Sequence, residues 1–321
     1  MTKPFILALS GAANHQSDPQ LRQLADLPHA VAASPSEVSA ATQPADVILH
    51  WAGSRDLLRA AFLANPGVRW IHSRSAGLDS ILFPELIASA VPLTNGSGVF
   101  SPSLGEFALA AILYFAKDFR RMLRNQQAGR WEPFDVEEIS GRTVGIVGYG
   151  DIGRNVASRV HAMGMRVLAL KRHTPASPDP LVDGFFQPRD LNSMLSRCDY
   201  IVVAAPLTPE THHMIGDAAF AAMKSNAVVI NIGRGPVIDQ AALVRALTER
   251  RIKGAGLDVF EQEPIPADDP IWKLDNVLIS PHCADHTADW LDQAMQFFLA
   301  QYERFSSGQP LQNVVEKHLG Y

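Results

Sequence analysis

The sequence predicts an α/β protein built on parallel sheets, and three observations carry that reading. Near-continuous apolar runs of a few residues alternate with helix-compatible stretches along most of the chain, the pattern of strands covered on both faces. The run Thr143-Val-Gly-Ile-Val147 breaks into spaced glycines, Gly148, Gly150 and Gly153, and then opens a helical pattern through Ile152, Val156, Val160 and Met163. At 321 residues the chain exceeds what one core usually fills, so about two domains are expected.

Composition narrows the partners. A net charge of -5 and a pI near 6.1, with no long basic run, argue against nucleic acid or anionic membrane as a general partner. Cys198 and Cys283 are too few for a disulfide framework and fit a reducing cytoplasm. Phe5 to Leu9, behind Lys3, is too short for a signal-peptide core and reads as a first buried strand. The longest uncharged apolar stretch, Phe107 to Ala116, is too short to span a bilayer. No metal site is assigned.

Taken in order, the first part of the chain predicts strands at Phe5–Leu9, Val47–Leu49 and Trp70–Ser73, with helices from Asp18-Pro19 and around Asp56–Leu63. Ligands of parallel sheets sit beyond the carboxyl ends of strands, which draws attention to His50-Trp-Ala-Gly53 and Arg74-Ser-Ala-Gly-Leu-Asp79. In the second loop Gly77 frees Ser75 and Ala76 to offer backbone N–H groups to an anion. An ordinary strand-to-helix turn accounts for the same spacing. A long helix follows, capped by Ser101 with Pro102 in its first turn and an apolar face of Leu104, Phe107, Ala108, Ala111, Ile112 and Phe115. Such a face needs a second surface, so Ser101 to Phe115 is expected near a homodimer contact. The basic end that follows, Arg120, Arg121, Arg124 and Arg130, reads as a solvated face.

At the glycines, Gly148 permits the turn, Gly150 lets a pyrophosphate approach bare N–H groups at the positive helix end, and Gly153 lets the helix sit close on its strand. Gly164 ends the helix and Val167 to Leu170 closes a βαβ unit. An acid is expected at the end of this second strand to hold the ribose hydroxyls of NAD, yet the chain continues Lys171-Arg172-His173. Cations there attract a 2′-phosphate. The cofactor expectation is therefore NADP(H) favoured over NAD(H), carried mainly by Arg172 with Lys171 able to add to it. Further strands, Tyr200–Ala204, Ala227–Asn231, Gly254–Val259 and Val277–Ile279, end in Ala205-Pro206-Leu-Thr208, Ile232-Gly233-Arg234-Gly235, Asp258 and Ser280-Pro-His282. These polar ends are expected to converge at one sheet edge.

The motifs Gly148-Tyr-Gly-Asp-Ile-Gly153, Pro206-Leu-Thr-Pro-Glu-Thr211, Asn231-Ile-Gly-Arg-Gly-Pro-Val-Ile-Asp239, Asp258-Val-Phe-Glu-Gln-Glu-Pro264 and Ser280-Pro-His282 together resemble the D-isomer-specific 2-hydroxyacid dehydrogenases, of glyoxylate/hydroxypyruvate reductase type. The resemblance covers nearly the whole chain. It implies a flavodoxin-like substrate domain made of residues 1–98 and 283–321, with a Rossmann NAD(P)-binding domain, 99–282, inserted in it; Gln309-Pro-Leu-Gln-Asn-Val-Val315 would be the returning segment. It implies Arg234, Glu263 and His282 as the catalytic set. By the same resemblance the cofactor meets Gly148, Tyr149, Gly150, Asp151, Ile152, Gly153, Lys171, Arg172, Ala205, Pro206, Thr211, Ile232, Gly233, Arg234, Asp258 and His282, with Asp258 on the nicotinamide side. Ser75, Ala76 and Gly77 hold the substrate carboxylate with Arg234 and His282.

Chemistry assigns matching roles. Reducing a 2-oxo acid builds negative charge on the carbonyl oxygen, so a cation and a proton donor must both face it. The planar fork of Arg234 suits carboxylate and carbonyl oxygen together. His282 supplies the proton, and Glu263 on its other ring nitrogen fixes the tautomer and favours the protonated form. Glu261 is rejected for that part because the motif places the partner at Glu263, and Cys283 is read as packing rather than as a nucleophile. Trp51 and Trp290 are candidates to line the side-chain pocket, Trp51 hinting at a short substrate. Two alternatives stand beside this reading: a nucleotide-sensing, corepressor-like binding protein, and a phosphite dehydrogenase-like enzyme. Formate dehydrogenases pair the histidine with Gln, which Glu263 speaks against.

Overall fold

The structure is a computed structural model that describes residues 3–11, 18–41, 43–173 and 177–320. In chain order the strands are β1 (Ile6–Leu9), β2 (His29–Ala32), β3 (Val47–His50), β4 (Trp70–Ser73), β5 (Leu93–Thr94), β6 (Thr143–Val147), β7 (Arg166–Leu170), β8 (Gly184–Phe186), β9 (Tyr200–Val203), β10 (Val228–Asn231), β11 (Gly254–Leu257) and β12 (Val277–Ile279). The α-helices are α1 (Pro35–Ser39), α2 (Arg55–Ala64), α3 (Pro84–Ala88), α4 (Ser101–Ala116), α5 (Phe119–Gln127), α6 (Asp151–Ala162), α7 (Leu191–Leu195), α8 (Asp217–Ala222), α9 (Gln240–Thr248) and α10 (Trp290–Ser306). The chain divides into two compact units, Met1–Phe100 with Ala288–Tyr321, and Ser101–Thr287.

In the first unit the described residues form a five-stranded parallel sheet in the order β2-β1-β3-β4-β5, the doubly wound order of flavodoxin-like folds. Its strands read as unbroken apolar runs because both faces are covered. Leu7, Leu9, Ile48 and Ile71 pack with Leu57 and Leu58 of α2 on one side. On the other, Phe298 of α10 stacks on the fully buried Trp70 at 5.5 Å between ring centres. Trp70 Nε1 donates to Thr94 Oγ1 at 2.8 Å, and His72 Nδ1 meets the same oxygen. Burial alone pushes the His72 imidazole down to about 3, so it packs here as a neutral ring. The last segment returns to β5: Val315 N–H donates to Leu93 O, and the Lys317 ammonium is ringed by the carbonyls of Leu86, Ser89 and Val91.

One expectation for this unit fails on local grounds. The helix expected from Asp18-Pro19 is only a 3-10 turn, Leu21–Leu24. Asp18 Oδ1 does accept N–H groups of Gln20 and Leu21, but Pro28 and then β2 leave no room for further turns. Trp51 is 2 % exposed, its Nε1 bound to Asp18 Oδ2.

The second unit holds a seven-stranded parallel sheet in the order β12-β11-β10-β9-β6-β7-β8, and the winding reverses between β6 and β9. Ligands of open α/β sheets lie at such a reversal, beyond the carboxyl ends. Leu168, Val203, Ile201, Val229 and Leu257 share one core with α7, α8 and α9. Cys198 belongs to that core, and burial pushes its thiol up to about 12. Helix α4 lies along α6, with Leu104, Ala108, Ala111, Ile112 and Phe115 buried. Within the chain this helix packs along α6 and, through Ala111 and Phe115, against Gly256 and Gly254 of β11. Ser101, expected as a cap, is already helical, and its hydroxyl donates to the Asp151 carboxylate at the start of α6.

Candidate active site

The carboxyl ends of β6, β9, β10, β11 and β12 all lie along one edge of the second sheet because every pairing is parallel. After β12 the chain turns at Ser280-Pro-His282, with His282 at φ +52°, in the left-handed region that residues other than glycine adopt uncommonly. Asp258, directly after β11 and 1 % exposed, ties this turn together. Its Oδ1 accepts the Ser280 hydroxyl at 2.6 Å and the N–H groups of Cys283 and Ala284 at 2.9 and 3.1 Å.

Held in this way, His282 places Nδ1 2.6 Å from Glu263 Oε2. Glu263 is itself fixed, since its Oε1 accepts the Phe260 N–H at 2.9 Å. The pair is only partly covered, 45 % and 35 % exposed at the side chains, which suits a group that must meet a substrate. With Nδ1 on the carboxylate, Nε2 is the ring nitrogen that Glu263 does not engage. Glu261 faces elsewhere: its Oε1 binds His213 Nε2 at 2.7 Å and the Gln240 N–H at 3.1 Å. Cys283 is exposed, so it is not packing as the sequence suggested.

Arg234 follows β10 on a braced turn. Asn231 accepts the Gly233 N–H through Oδ1 and donates through Nδ2 to the Arg234 carbonyl. Gly235 then presses this turn against the chain that carries Glu263. A Cβ there would lie 1.9 Å from the Phe260 carbonyl carbon, so no side chain fits. Arg234 and Glu263, distant in sequence, are thereby joined main chain to main chain.

The glycine loop has the geometry a dinucleotide needs. Gly148 has φ +97°, and a Cβ on it would lie 2.5 Å from the Ala205 nitrogen; one on Gly153 would lie 2.4 Å from the Gly148 carbonyl oxygen. Gly150 is different, because an added Cβ would meet nothing within 4 Å. Packing within the protein does not require that glycine. The first N–H groups of α6, from Asp151, Ile152 and Gly153, lack acceptors within the helix, as at any helix start, and so fit a pyrophosphate. Across the winding reversal, the Ala205–Thr211 loop is closed on itself by Thr211 Oγ1, which donates to the Pro206 carbonyl at 2.7 Å. Ile232 hydrogen-bonds to Val203, and Gly233 packs against Ala205 with room for no Cβ.

Beside Gly150 opens a cleft of about 490 Å³ lined by Tyr149, Gly150, Asp151, Arg154, Lys171 and Ser177 to Pro180. Lys171 lines it as expected. Arg172 instead sits 3.6 Å from Glu210. Sequence reasoning missed Asp179, which reaches Tyr149 and Arg154 from a separate loop; Ser280, named at its strand end without a role, ties Asp258 to the histidine turn.

In the first unit the Ser75–Gly77 loop is also braced. The Ser75 carbonyl accepts the Gly96 N–H and the Ala76 carbonyl accepts Asn95 Nδ2, which turns the carbonyls of this loop inward. Arg74, beside it, lies between the faces of Trp51 and Trp290, at 5.0 and 5.2 Å from their ring centres. Burial, aided by the charge of Arg74, pushes the His50 imidazole down to about 4 against its bond to the Gly53 carbonyl.

Comparison with known proteins agrees with this geometry. Residues 109–284 match the family model for the D-isomer specific 2-hydroxyacid dehydrogenase, NAD binding domain. The chain is 35 % identical to a glyoxylate reductase of Korarchaeum cryptofilum over 264 residues, 80 % of this chain and 79 % of that protein. It is 36 % identical to glyoxylate/hydroxypyruvate reductase B of Citrobacter koseri, over 73 % and 74 % of the two chains. Among solved structures, the NADPH-dependent glyoxylate/hydroxypyruvate reductase of Sinorhizobium meliloti, in complex with NADP and sulfate, superposes with a TM-score of 0.85 over the full length of both chains at 26 % identity. Among the described residues no helix is long and apolar enough to cross a membrane. With the family model matching more than half its length, the chain belongs to the D-isomer-specific 2-hydroxyacid dehydrogenases.

Proposed function

We propose that this enzyme reduces a small 2-oxo acid, glyoxylate, hydroxypyruvate or a close analogue, to the D-2-hydroxy acid, with NADP(H) favoured over NAD(H). The observation that carries the reading is the 2.6 Å pair of His282 and Glu263 on the same sheet edge as Arg234. A nicotinamide cofactor, when bound, supplies hydride to the carbonyl carbon. Arg234 orients the substrate carboxylate and stabilises the charge growing on the carbonyl oxygen. His282 gives that oxygen its proton from Nε2, while Glu263 holds the ring and offsets the charge of the imidazolium. The N–H groups of Ser75 to Gly77 are assigned to the carboxylate as well. The glycine loop, with Ala205, Pro206, Thr211, Ile232 and Gly233, is assigned to the cofactor.

The NADP(H) preference is supported by Lys171 in the cleft and by the absence of an acid directly after β7. The Sinorhizobium enzyme described above also carries NADP. Arg172 must leave Glu210 to meet a phosphate, a modest cost for an exposed pair. The test is kcat/KM with NADPH and NADH over a panel of 2-oxo acids. Glyoxylate or hydroxypyruvate should far exceed phenylpyruvate, and NADPH should be preferred roughly tenfold or more, with Arg172→Ala shrinking the preference. Equal cofactor values would overturn the preference. Binding of the dinucleotide without turnover of any 2-oxo acid would favour the sensing protein instead.

We infer further that two copies pair through the second unit, with Ser101 to Phe115 and the apolar surface on the adjoining α5 near the contact. Phe119, Met122 and Leu123 share one helix face at 42, 41 and 53 % exposure, and Trp131, 97 % exposed, follows on a segment tied to α5 by Arg121–Glu132. Sedimentation velocity at micromolar concentration should give a dimer that Leu123→Glu converts to monomer; a monomeric wild-type chain would refute the pairing.

A further inference from the structure

The acid missing from the end of β7 reaches the cleft from another place. No carboxylate follows Lys171 until Asp179, where the chain turns back and Ser177 to Pro180 form part of the wall facing the glycine loop. Asp179 Oδ2 accepts the Tyr149 hydroxyl and Arg154 Nε, each at 3.0 Å, and Oδ1 accepts the Leu181 N–H at 3.1 Å. The Leu181 N–H, with Tyr149 and Arg154, holds this carboxyl below the usual carboxylate range. Burial first, and then Asp179, push the Tyr149 phenol up, so the tyrosine stays a donor.

The charges lining the cleft are Lys171 and Arg154 against Asp151 and Asp179. Asp151 accepts the Ser101 hydroxyl, so its carboxylate is engaged at the α4 side. Asp179 is the anion that engages Arg154 directly. Arg154 is the more exposed partner, 59 % against 15 %. A phosphate entering between Lys171 and Arg154 meets one cation that is available and one that is already neutralised.

We propose that Asp179 is a specificity-determining residue that restrains the preference for a 2′-phosphorylated cofactor by holding Arg154 and by placing a fixed negative charge in the cleft. The proposal rests on the reading of this cleft as the adenosine end of the dinucleotide site. It makes selectivity a balance: Lys171 and Arg172 attract the 2′-phosphate, and Asp179 opposes them. The opposing force is charge against charge in a solvated cleft, so it weakens with salt.

The experiment is calorimetric binding of adenosine 2′,5′-bisphosphate and of ADP to the full chain, with no turnover involved. Asp179→Asn, which keeps the shape and removes the charge, should tighten the 2′,5′-bisphosphate about tenfold at low salt and leave ADP within about twofold. The gain should shrink at high salt and fall, when Arg154→Gln is added, to the part that relief of the Asp179 charge alone supplies. Asp179→Ser should give the same selective gain, and Tyr149→Phe, which removes a donor without changing charge, should not. A ratio of the two affinities unmoved by both Asp179 variants would overturn the proposal. So would selective weakening of ADP, which would make Asp179 an acceptor for ribose hydroxyls. If neither ligand bound the wild-type chain, the reading of the cleft would fall, and this inference with it.

Discussion

Replacing His282 with alanine is expected to lower kcat for 2-oxo acid reduction by about 10²- to 10⁴-fold, the range a positioned proton donor supplies, while KM moves only a few-fold. The asymmetry follows from where the group acts. The proton is transferred as charge appears on the carbonyl oxygen, so the interaction is made late and contributes little to binding the ground state. Glu263→Gln should give a different signature. The amide still bonds Nδ1 but no longer offsets the imidazolium charge, so the limb of the kcat/KM profile that requires a protonated histidine should move to lower pH. Stopped-flow hydride transfer and steady-state profiles over pH 5 to 9, about the range in which histidine titrates, check both. An unchanged profile in Glu263→Gln would remove the glutamate from the proton donor.

Arg234→Ala should be at least as damaging and should fail in both constants, with KM raised and kcat/KM down by about 10³-fold or more. A charge-assisted bond to the carboxylate is worth about 1.5–3 kcal/mol in binding, and loss of one donor at a developing oxyanion costs a further factor of about 10²–10³ in kcat. Arg234→Lys separates charge from shape. Lysine restores the cation without the planar fork, so it should recover only a minor part of the loss. Full recovery with lysine would mean that Arg234 acts as a point charge alone.

Much of this architecture was legible in the chain because parallel strands buried on both faces leave unbroken apolar runs, and the strand ends then mark the site edge. The glycine loop was legible for the same reason, since Gly148 and Gly153 answer to steric demands that sequence spacing records. β2 was not, because His-Ala-Val-Ala is short, half-exposed and weakly apolar. The choice of Glu263 over Glu261 came from motif resemblance; spacing along the chain gives either acid a route to His282, and only the fold sends Glu261 to His213. Asp179 was invisible for a further reason. Its contacts with Tyr149 and Arg154 span 30 and 25 residues and depend on how one loop closes, which no local periodicity encodes. Counting apolar positions meets a limit at α4: the pattern records that a surface is covered, not whose chain covers it.

The contact between Gly235 and Phe260 has a consequence for how such an enzyme can be altered. Where two main chains touch, no rotamer can absorb an added atom, and any enlargement must move a strand end. The spacing between the arginine turn and the glutamate turn is therefore a tolerance of the scaffold rather than a tunable parameter. The loops around Trp51, Arg74 and Trp290 meet through side chains instead, so a changed residue there can be accommodated by its neighbours without shifting the backbone.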